Sequence, residues 1–417
     1  MYFTHYLKFN FYYINCEPIK RMTIRIKIAE LQKFKLKSII NRKVLLLLFT
    51  LFSFNLFAEH DINSDSTTTE NKHENKFDAG TFIMHHIADA HQIHFFTLNE
   101  GKENEKHFSI YLPIIIKDQN GINVYSSSNF YHHSHTIEIN GKHQHYYSYN
   151  NYVMFDEKIY KAEGDKGLML DGAGKILNQS VLDLSPTKSI IGILITIILL
   201  LLMFGSAAVK YKKNPLKAPT GLQAWLEPMV LFIRDEVAIP SIGKDKADRF
   251  VPFLLTTFFF IWLANLLGLI PFIGGFNVMG TIGVTLVLAT VVFIITNING
   301  KSHYWTHILW PPGVPFPIKL ILVPIEIISI FMKPMVLMIR LTANITAGHI
   351  IILAFTCLVF IFGQQSAGAG YGAGIGSVLF MVFMYFIELL VTFLQAYVFT
   401  LLTAMYFGSA IEEPHHH

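Results

Sequence analysis

Residues Lys319 to Gly363 read KLILVPIEIISIFMKPMVLMIRLTANITAGHIIILAFTCLVFIFG. The stretch is apolar enough to be a membrane segment, yet it carries Lys319, Glu326, Lys333, Arg340 and His349. An ionisable side chain near the bilayer centre costs at least ~2.5–3.5 kcal/mol on insertion scales, so such groups pair with something or line an ion path. The first four recur every seven residues. A helix turns ~100° per residue, so seven residues return to within ~20° and the four lie along one slowly drifting stripe. One face of this helix is therefore wet or meets a charged partner. Its 45 residues make a helix of ~67 Å, about twice the ~30 Å of bilayer hydrocarbon, so it is expected to tilt, with Pro324 and Pro334 as bend points.

The following segment supplies partners. AGAGYGAGIG, Ala367 to Gly376, reads as a turn, and Ser377 to Ala410 as a second over-long helix running back. Glu388 and Gln395 lie seven apart on one face of it, with Thr392 between them. In an antiparallel hairpin, residues at one level share a midpoint at the turn. The midpoints of Arg340 with Gln395 and of His349 with Glu388 both fall between residues 367 and 369. Arg340 is thus expected near Gln395, and His349 near Glu388. Asn344, four residues on from Arg340, shares its face. His349, nine residues on, lies ~180° around the helix, which leaves open whether it reaches the same path.

Composition agrees with a membrane protein. The chain is 52% hydrophobic and 15% charged, against ~25% charged in soluble domains. Residues 1–43 hold ten Lys and Arg against Glu17 and Glu30, so this leader is +8 in a chain of +4 and the remainder sums to −4. That balance gives no support to nucleic-acid binding. Neither Cys16 nor Cys357 falls in a segment expected to be exported, so no disulfide framework or Cys metal site is expected.

Residues 1–58 read as a leader. Val44 to Phe57 is a 14-residue apolar run behind a basic flank, too short to span comfortably, with cleavage expected near Ala58. An uncleaved anchor is the alternative, and translation starts at Met1 or at Met22. Residues 59–186 then form an exported domain, in which apolar and polar residues alternate around Asn120-Gly121 and Asn140-Gly141, the pattern of short antiparallel strands. Twelve of the nineteen histidines fall here. Neither His85/His86/His91/His94 nor His132/His133/His135 matches a firm ligand spacing, so they read as solvated side chains and no metal is assigned.

Residues 187–417 form the membrane domain, with about five membrane helices. Ile190 to Val209 is a first span, and Lys210, Lys212, Lys213 and Lys217 after it mark the cytoplasmic side. Leu222 to Val237 is expected along the interface. Val251 to Phe272 runs outward, Asn277 to Thr296 runs back, and the long tilted hairpin completes the fold. The fold class is thus all-α and polytopic, with an exported domain of short β-strands. Because every intramembrane ionisable group relied on here lies after residue 318, the exported domain is not expected to be required for ion conduction.

Arg340-Leu-Thr-Ala-Asn344-Ile-Thr-Ala-Gly348-His349 closely resembles the penultimate-helix motif of subunit a of F-type ATP synthase. Glu388 with LLVTFLQAYVFTLL resembles that family's final helix, and ANLLGLIPF, Ala264 to Phe272, an earlier span. The resemblance covers about residues 187–410, with several motifs in order. It implies that Arg340 faces the essential carboxylate of the rotating c-ring, with Asn344 and Gln395 as polar neighbours. His349 and Glu388 would relay protons from the outer side, and Glu326 and Lys333 would lie on the cytoplasmic path, unless they are a structural charge pair. It further implies a bacterial inner-membrane protein with its N-terminal domain periplasmic and its C-terminus cytoplasmic. The implied partners are the c-ring, peripheral-stalk b subunits and lipid, with no cofactor and no substrate beyond protons. The large His-rich domain departs from the compact family pattern. A stand-alone ion-coupled transporter is the alternative, but inverted repeats are expected there and none is found. A membrane metalloenzyme would need more intramembrane ligands than His349.

Overall fold

A computed structural model describes residues 79–98, 106–118, 121–139, 142–162, 167–171, 176–213, 217–270 and 275–413. The leader over residues 1–58, with its expected cleavage site, lies outside the described residues. The chain divides into two compact units, one of Thr69–Ile197 with Val230–His417 and a smaller one described over Ile198–Met229.

In the larger unit, helix α1 (Ala79–Ile87) precedes an antiparallel pair, β1 (Gln92–Leu98) with β2 (Lys106–Tyr111). Strands β3 (Pro113–Asp118) and β4 (Gly121–Ser126) form the first expected hairpin, with Asp118 opposite Gly121. After α2 (Ser127–Tyr131), a meander runs through β5 (Ser134–Ile139), β6 (Lys142–Tyr149), β7 (Tyr152–Phe155) and β8 (Lys158–Lys161). Ile139 pairs with Lys142, the register that a two-residue Asn-Gly connection dictates. The short β9 (Leu182–Asp183) returns to the edge of β3, giving the order β4-β3-β9. Alternation buries Ile114 and Ile116 of β3 with Phe130, Tyr152, Met154 and Ile159 in one core.

Helix α3 (Lys188–Lys213) follows β9 after four residues. Next come α4 (Leu222–Phe232), a π-helical stretch over Ile233–Ala238, the short α5 (Ile239–Ile242) and α6 (Lys244–Leu269). Within the smaller unit, the Tyr211 hydroxyl donates to Glu227 at 2.9 Å. Helix α7 (Ile282–Ile298) and α8 (Ser302–Leu309) are bent by 103° to each other. Two long helices close the chain, α9 (Phe316–Gln365) and α10 (Ala367–Ile411). Four of these, α3, α6, α9 and α10, are long and apolar enough to cross a membrane, and the bent pair makes a fifth if counted as one span.

Two expectations need correction. The glycine-rich stretch Ala367 to Gly376 is not the turn: it is the first part of α10, and the chain reverses at Ser366, which is extended at φ −163° and ψ 151°. Glycines are tolerated in membrane helices because, without water, the backbone is satisfied best by staying helical. The return span expected from Asn277 begins only at Ile282, because Phe276 to Met279 form a buried, non-helical segment. Helix α9 runs continuously through Pro324 and Pro334.

Helices α6 and α10 pack against each other through aromatic rings, Phe250 and Phe253 against Phe407 and Phe258 and Trp262 against Phe393, with the small residues Ala396, Thr400, Thr403 and Ala404 buried along α10. Between apolar helices in lipid, close approach and dispersion contacts replace the hydrophobic effect, so small side chains mark the contact face. The hydroxyls of Thr400 and Thr403 each return a 2.8 Å hydrogen bond to the carbonyl four residues earlier, so this face carries no orphaned hydroxyl at these positions. Gly408 continues it: a Cβ there would collide with the Ser241 carbonyl of α5.

Candidate functional site

The hairpin of α9 and α10 brings His349 and Glu388 together, with Nδ1 of His349 3.2 Å from Oε1 of Glu388. The same nitrogen lies 3.0 Å from the Ile345 carbonyl. A ring nitrogen carries at most one hydrogen, so it cannot serve both acceptors well. Consistently, neither Glu388 oxygen has an aligned donor, and the 3.2 Å approach is an electrostatic contact rather than a formed hydrogen bond. Glu388 is 5% exposed and keeps unused acceptor positions. A buried carboxylate beside an imidazole, with capacity to spare, is suited to taking up and passing on a proton.

Glycines make room for this pair, and the sequence reading missed them. A Cβ on Gly348 would sit 2.6 Å from Glu388 Oε1 and 2.9 Å from its carboxyl carbon. A Cβ on Gly268 would sit 2.7 Å from the Phe276 carbonyl oxygen and 3.7 Å from His349 Nε2. Both glycines belong to the quoted motifs, but only the folded arrangement reveals what faces them. One turn before Gly268, Asn265 is buried with both amide atoms unpartnered. Polar atoms buried without partners are rare, and such groups are ordinarily satisfied by ordered water.

Arg340 behaves differently. It is exposed on α9, with Val336, Ile339, Ala343, Asn344 and Ala347 exposed around it. It makes no hydrogen bond or ion pair among the described residues and acts electrostatically on Tyr406. Gln395, expected at the level of Arg340, is buried on α10, and no hydrogen bond joins the two among the described residues. Equal level in a hairpin fixes height, whereas the 3.6-residue turn decides which way a side chain points.

Lower on the stripe, Lys333 lies over the Tyr406 ring at 5.6 Å and lines a small crevice with Thr296, Asn297 and Tyr304. Glu326 acts electrostatically on Tyr304. Lys319 sits over Trp310 at 4.3 Å, a cation–π contact at the start of α9.

Among the described histidines of the N-terminal domain, His91 is buried between two carboxylates. It is 1% exposed, with Nδ1 3.3 Å from Glu157 and Nε2 3.4 Å from Asp183. Burial pulls its pKa down, but hydrogen bonds and charge from Asp183 and Glu157 outweigh that and push it up to about 9. His132, His133, His135 and His145 are exposed. Among the described residues no group of three or more His, Cys, Asp or Glu is arranged to hold a metal ion.

A family profile described as ATP synthase A chain matches residues 190–408, and a second, described as a domain of unknown function, matches residues 82–184. The chain is 41% identical over 234 residues to ATP synthase subunit a of Pelodictyon phaeoclathratiforme, covering 55% of this chain and 66% of that protein. It is 42% identical over 234 residues to ATP synthase subunit a 2 of Chlorobaculum tepidum, covering 55% and 64%. With ATP synthase subunit a of Myxococcus xanthus it shares 37% identity over 255 residues, covering 58% and 78%. The chain thus spans slightly less than two thirds of the first two relatives. The matched residues contain both halves of the hairpin with Arg340, His349 and Glu388, and on this match the chain belongs to the ATP synthase subunit a family.

Proposed function

We propose that this chain is the stator subunit of a proton-driven ATP synthase, in which Arg340 faces a carboxylate on a rotating ring of c subunits. The observation that carries the reading is Arg340 itself: a guanidinium exposed on an apolar face of a membrane helix, without an ion-pair partner among the described residues. Such a charge in hydrocarbon needs a counter-charge, and a carboxylate from a neighbouring c subunit would supply it. A rotor carboxylate must be neutral to face lipid and ionised to exchange its proton, so the stator needs two aqueous paths separated by a fixed cation. Arginine suits that place because it stays protonated when desolvated. His349 and Glu388 with Asn265 form the outer path, and Lys333 and Glu326 with the Asn297 crevice the inner one. Asn344 and Gln395 flank the crossing between them.

The lysines at 210, 212, 213 and 217 support a cytoplasmic end for α3, which puts the N-terminal domain in the periplasm and the C-terminus in the cytoplasm of a bacterial inner membrane. The leader is removed near Ala58, and b subunits of a peripheral stalk hold the chain against rotation. In membrane vesicles, Arg340→Ala is expected to abolish coupled ATP synthesis while passive proton leak persists or rises. Arg340→Gln combined with Gln395→Arg moves the cation instead of deleting it and is expected to recover more coupling than either single change. Coupled synthesis by Arg340→Ala alone would overturn the reading.

A further inference from the structure

The extramembrane domain is joined to the outer end of the membrane domain by a continuous series of contacts. It begins at a strained turn. Strands β7 and β8 are linked by Asp156 and Glu157, at φ 48° and 60°, with Phe155 paired to Lys158. A two-residue turn with both positions left-handed prefers Asn and Gly, so a Glu there has to be held by contacts elsewhere. What holds it is its carboxylate: Oε2 accepts the Tyr131 hydroxyl at 2.8 Å and the His91 backbone N–H at 3.1 Å, and it lies 3.3 Å from the His91 ring. Asp183 of β9 closes on the other ring nitrogen.

The residues on either side of this clamp grip the start of α3. Asp89 Oδ1 accepts the Ser189 N–H at 2.8 Å, and the Ala90 carbonyl accepts the Lys188 N–H at 3.0 Å, satisfying donors that a helix N-terminus leaves unpaired. The Ser189 hydroxyl then meets the Thr281 hydroxyl at 2.8 Å, and Thr281 donates to the Asn277 carbonyl at 3.3 Å. A Cβ on Gly192, one turn into α3, would strike Val278 and Phe276. The same Phe276 presents its carbonyl to Gly268 beside the His349 ring.

We propose that the His91–Glu157–Asp183 clamp and Ser189 are positioning residues for proton uptake: through α3 and the Phe276–Thr281 segment they fix the surroundings of His349 at the outer end of the path. This inference rests on the stator reading above. The clamp acts as a fixed fitting, because the position of His91 between two carboxylates keeps it charged across the neutral range. The groups around it are Glu157 from the β7–β8 turn, Asp183 from β9 and Tyr131 from α2, with Asp89 and Lys188 at the head of α3. Around His349 they are Glu388 from α10 and the carbonyls of Ile345 and Gly268, with Tyr385 in electrostatic reach of Glu388. The domain is then dispensable for the path but not for its tuning, which refines the expectation drawn from sequence.

The test uses intact complexes in oriented vesicles, with ATP synthesis followed against outer pH at fixed inner pH. Ser189→Ala removes the hydroxyl link and keeps the backbone bond to Asp89. Glu157→Asn removes the carboxylate while supplying a residue that the left-handed turn favours, and Ser189→Ala keeps the test open if that variant does not assemble. Each is expected to displace the midpoint of the outer-pH profile by ~0.5 unit or more, because such profiles report the ionisation of the groups that act. The inner-pH profile should stay in place. A role confined to folding would lower the amount of assembled complex and leave the midpoint unmoved, and unmoved midpoints in assembled complexes of both variants overturn the proposal. Arg340→Ala run alongside separates the two readings: if it abolishes coupled synthesis while the midpoints stay fixed, only the positioning role fails, and if it retains coupled synthesis, both fail.

Discussion

Gly348→Ala places one methyl group against the carboxylate proposed to serve the outer path. The added Cβ would lie 2.6 Å from Glu388 Oε1 and 2.9 Å from its carboxyl carbon. Ordinary contact between such atoms needs ~3.5 Å, so the carboxylate must retreat by ~1 Å. Nothing else has to move, because the atoms struck are the far end of a flexible side chain and Ala is a better helix former than Gly by ~1 kcal/mol. The retreat opens the 3.2 Å approach of Glu388 to His349 beyond the reach of proton transfer. Misplacing a reacting group by ~1 Å costs up to ~100-fold, so coupled synthesis is expected to fall by ~10–100-fold, equivalent to ~1.4–2.7 kcal/mol. Vesicles containing normally assembled complex supply the assay, with ATP synthesis and ATP-driven proton pumping measured together. Wild-type rates in both would refute the reasoning, since the methyl would then be accommodated without consequence and Glu388 could not be a relay.

Two further outcomes follow from other contacts. The pKa of His91 is raised from 6.5 to about 9 in the folded protein, so its stabilisation is complete below pH 6.5 and lost as pH rises through 9, for a total of about 3 kcal/mol. Thermal melts of the purified chain between pH 6 and 10 should show that decline, and His91→Gln should remove the pH dependence. Gly408→Ala drives a methyl into the Ser241 carbonyl, and because backbone cannot step aside as a carboxylate can, overpacking of ~1–3 kcal/mol is expected as a lower melting temperature; an unchanged melt would mean that α5 shifts freely.

Much of the membrane domain was legible because lipid makes harsh demands. Lys319, Glu326, Lys333 and Arg340 stand out in an apolar run, their seven-residue spacing is a helical period, and hairpin symmetry alone paired His349 with Glu388. The same arithmetic set Arg340 level with Gln395 but could not give the rotation of either helix, and the two side chains do not bond. The reversal point was misread because glycine breaks helices in water and persists in them in a membrane, so Ser366 hid behind the more conspicuous glycine run. His91 was one of twelve histidines with no local mark to distinguish it. Its partners, Glu157 and Asp183, lie 66 and 92 residues downstream, and only the strand order of the domain brings all three together. Gly268 and Gly348 were likewise visible as letters but silent as contacts.

The length of α9 bears on how the membrane voltage is felt. Its apolar span runs from Phe316 to Gly363, 48 residues, or ~72 Å, and a helix confined to ~30 Å of hydrocarbon descends only ~0.6 Å per residue. His349 and Arg340, nine residues apart, then differ in depth by ~6 Å, about a fifth of the insulating layer. A proton moving between those levels at 100 mV does electrical work of only ~0.4 kcal/mol, below the thermal energy of ~0.6 kcal/mol, whereas on an upright helix the same nine residues would span ~1 kcal/mol. The slant would therefore leave the proposed outer relay almost at one potential, so that between those two levels the outer pH, and not the voltage, sets how readily a proton is passed on.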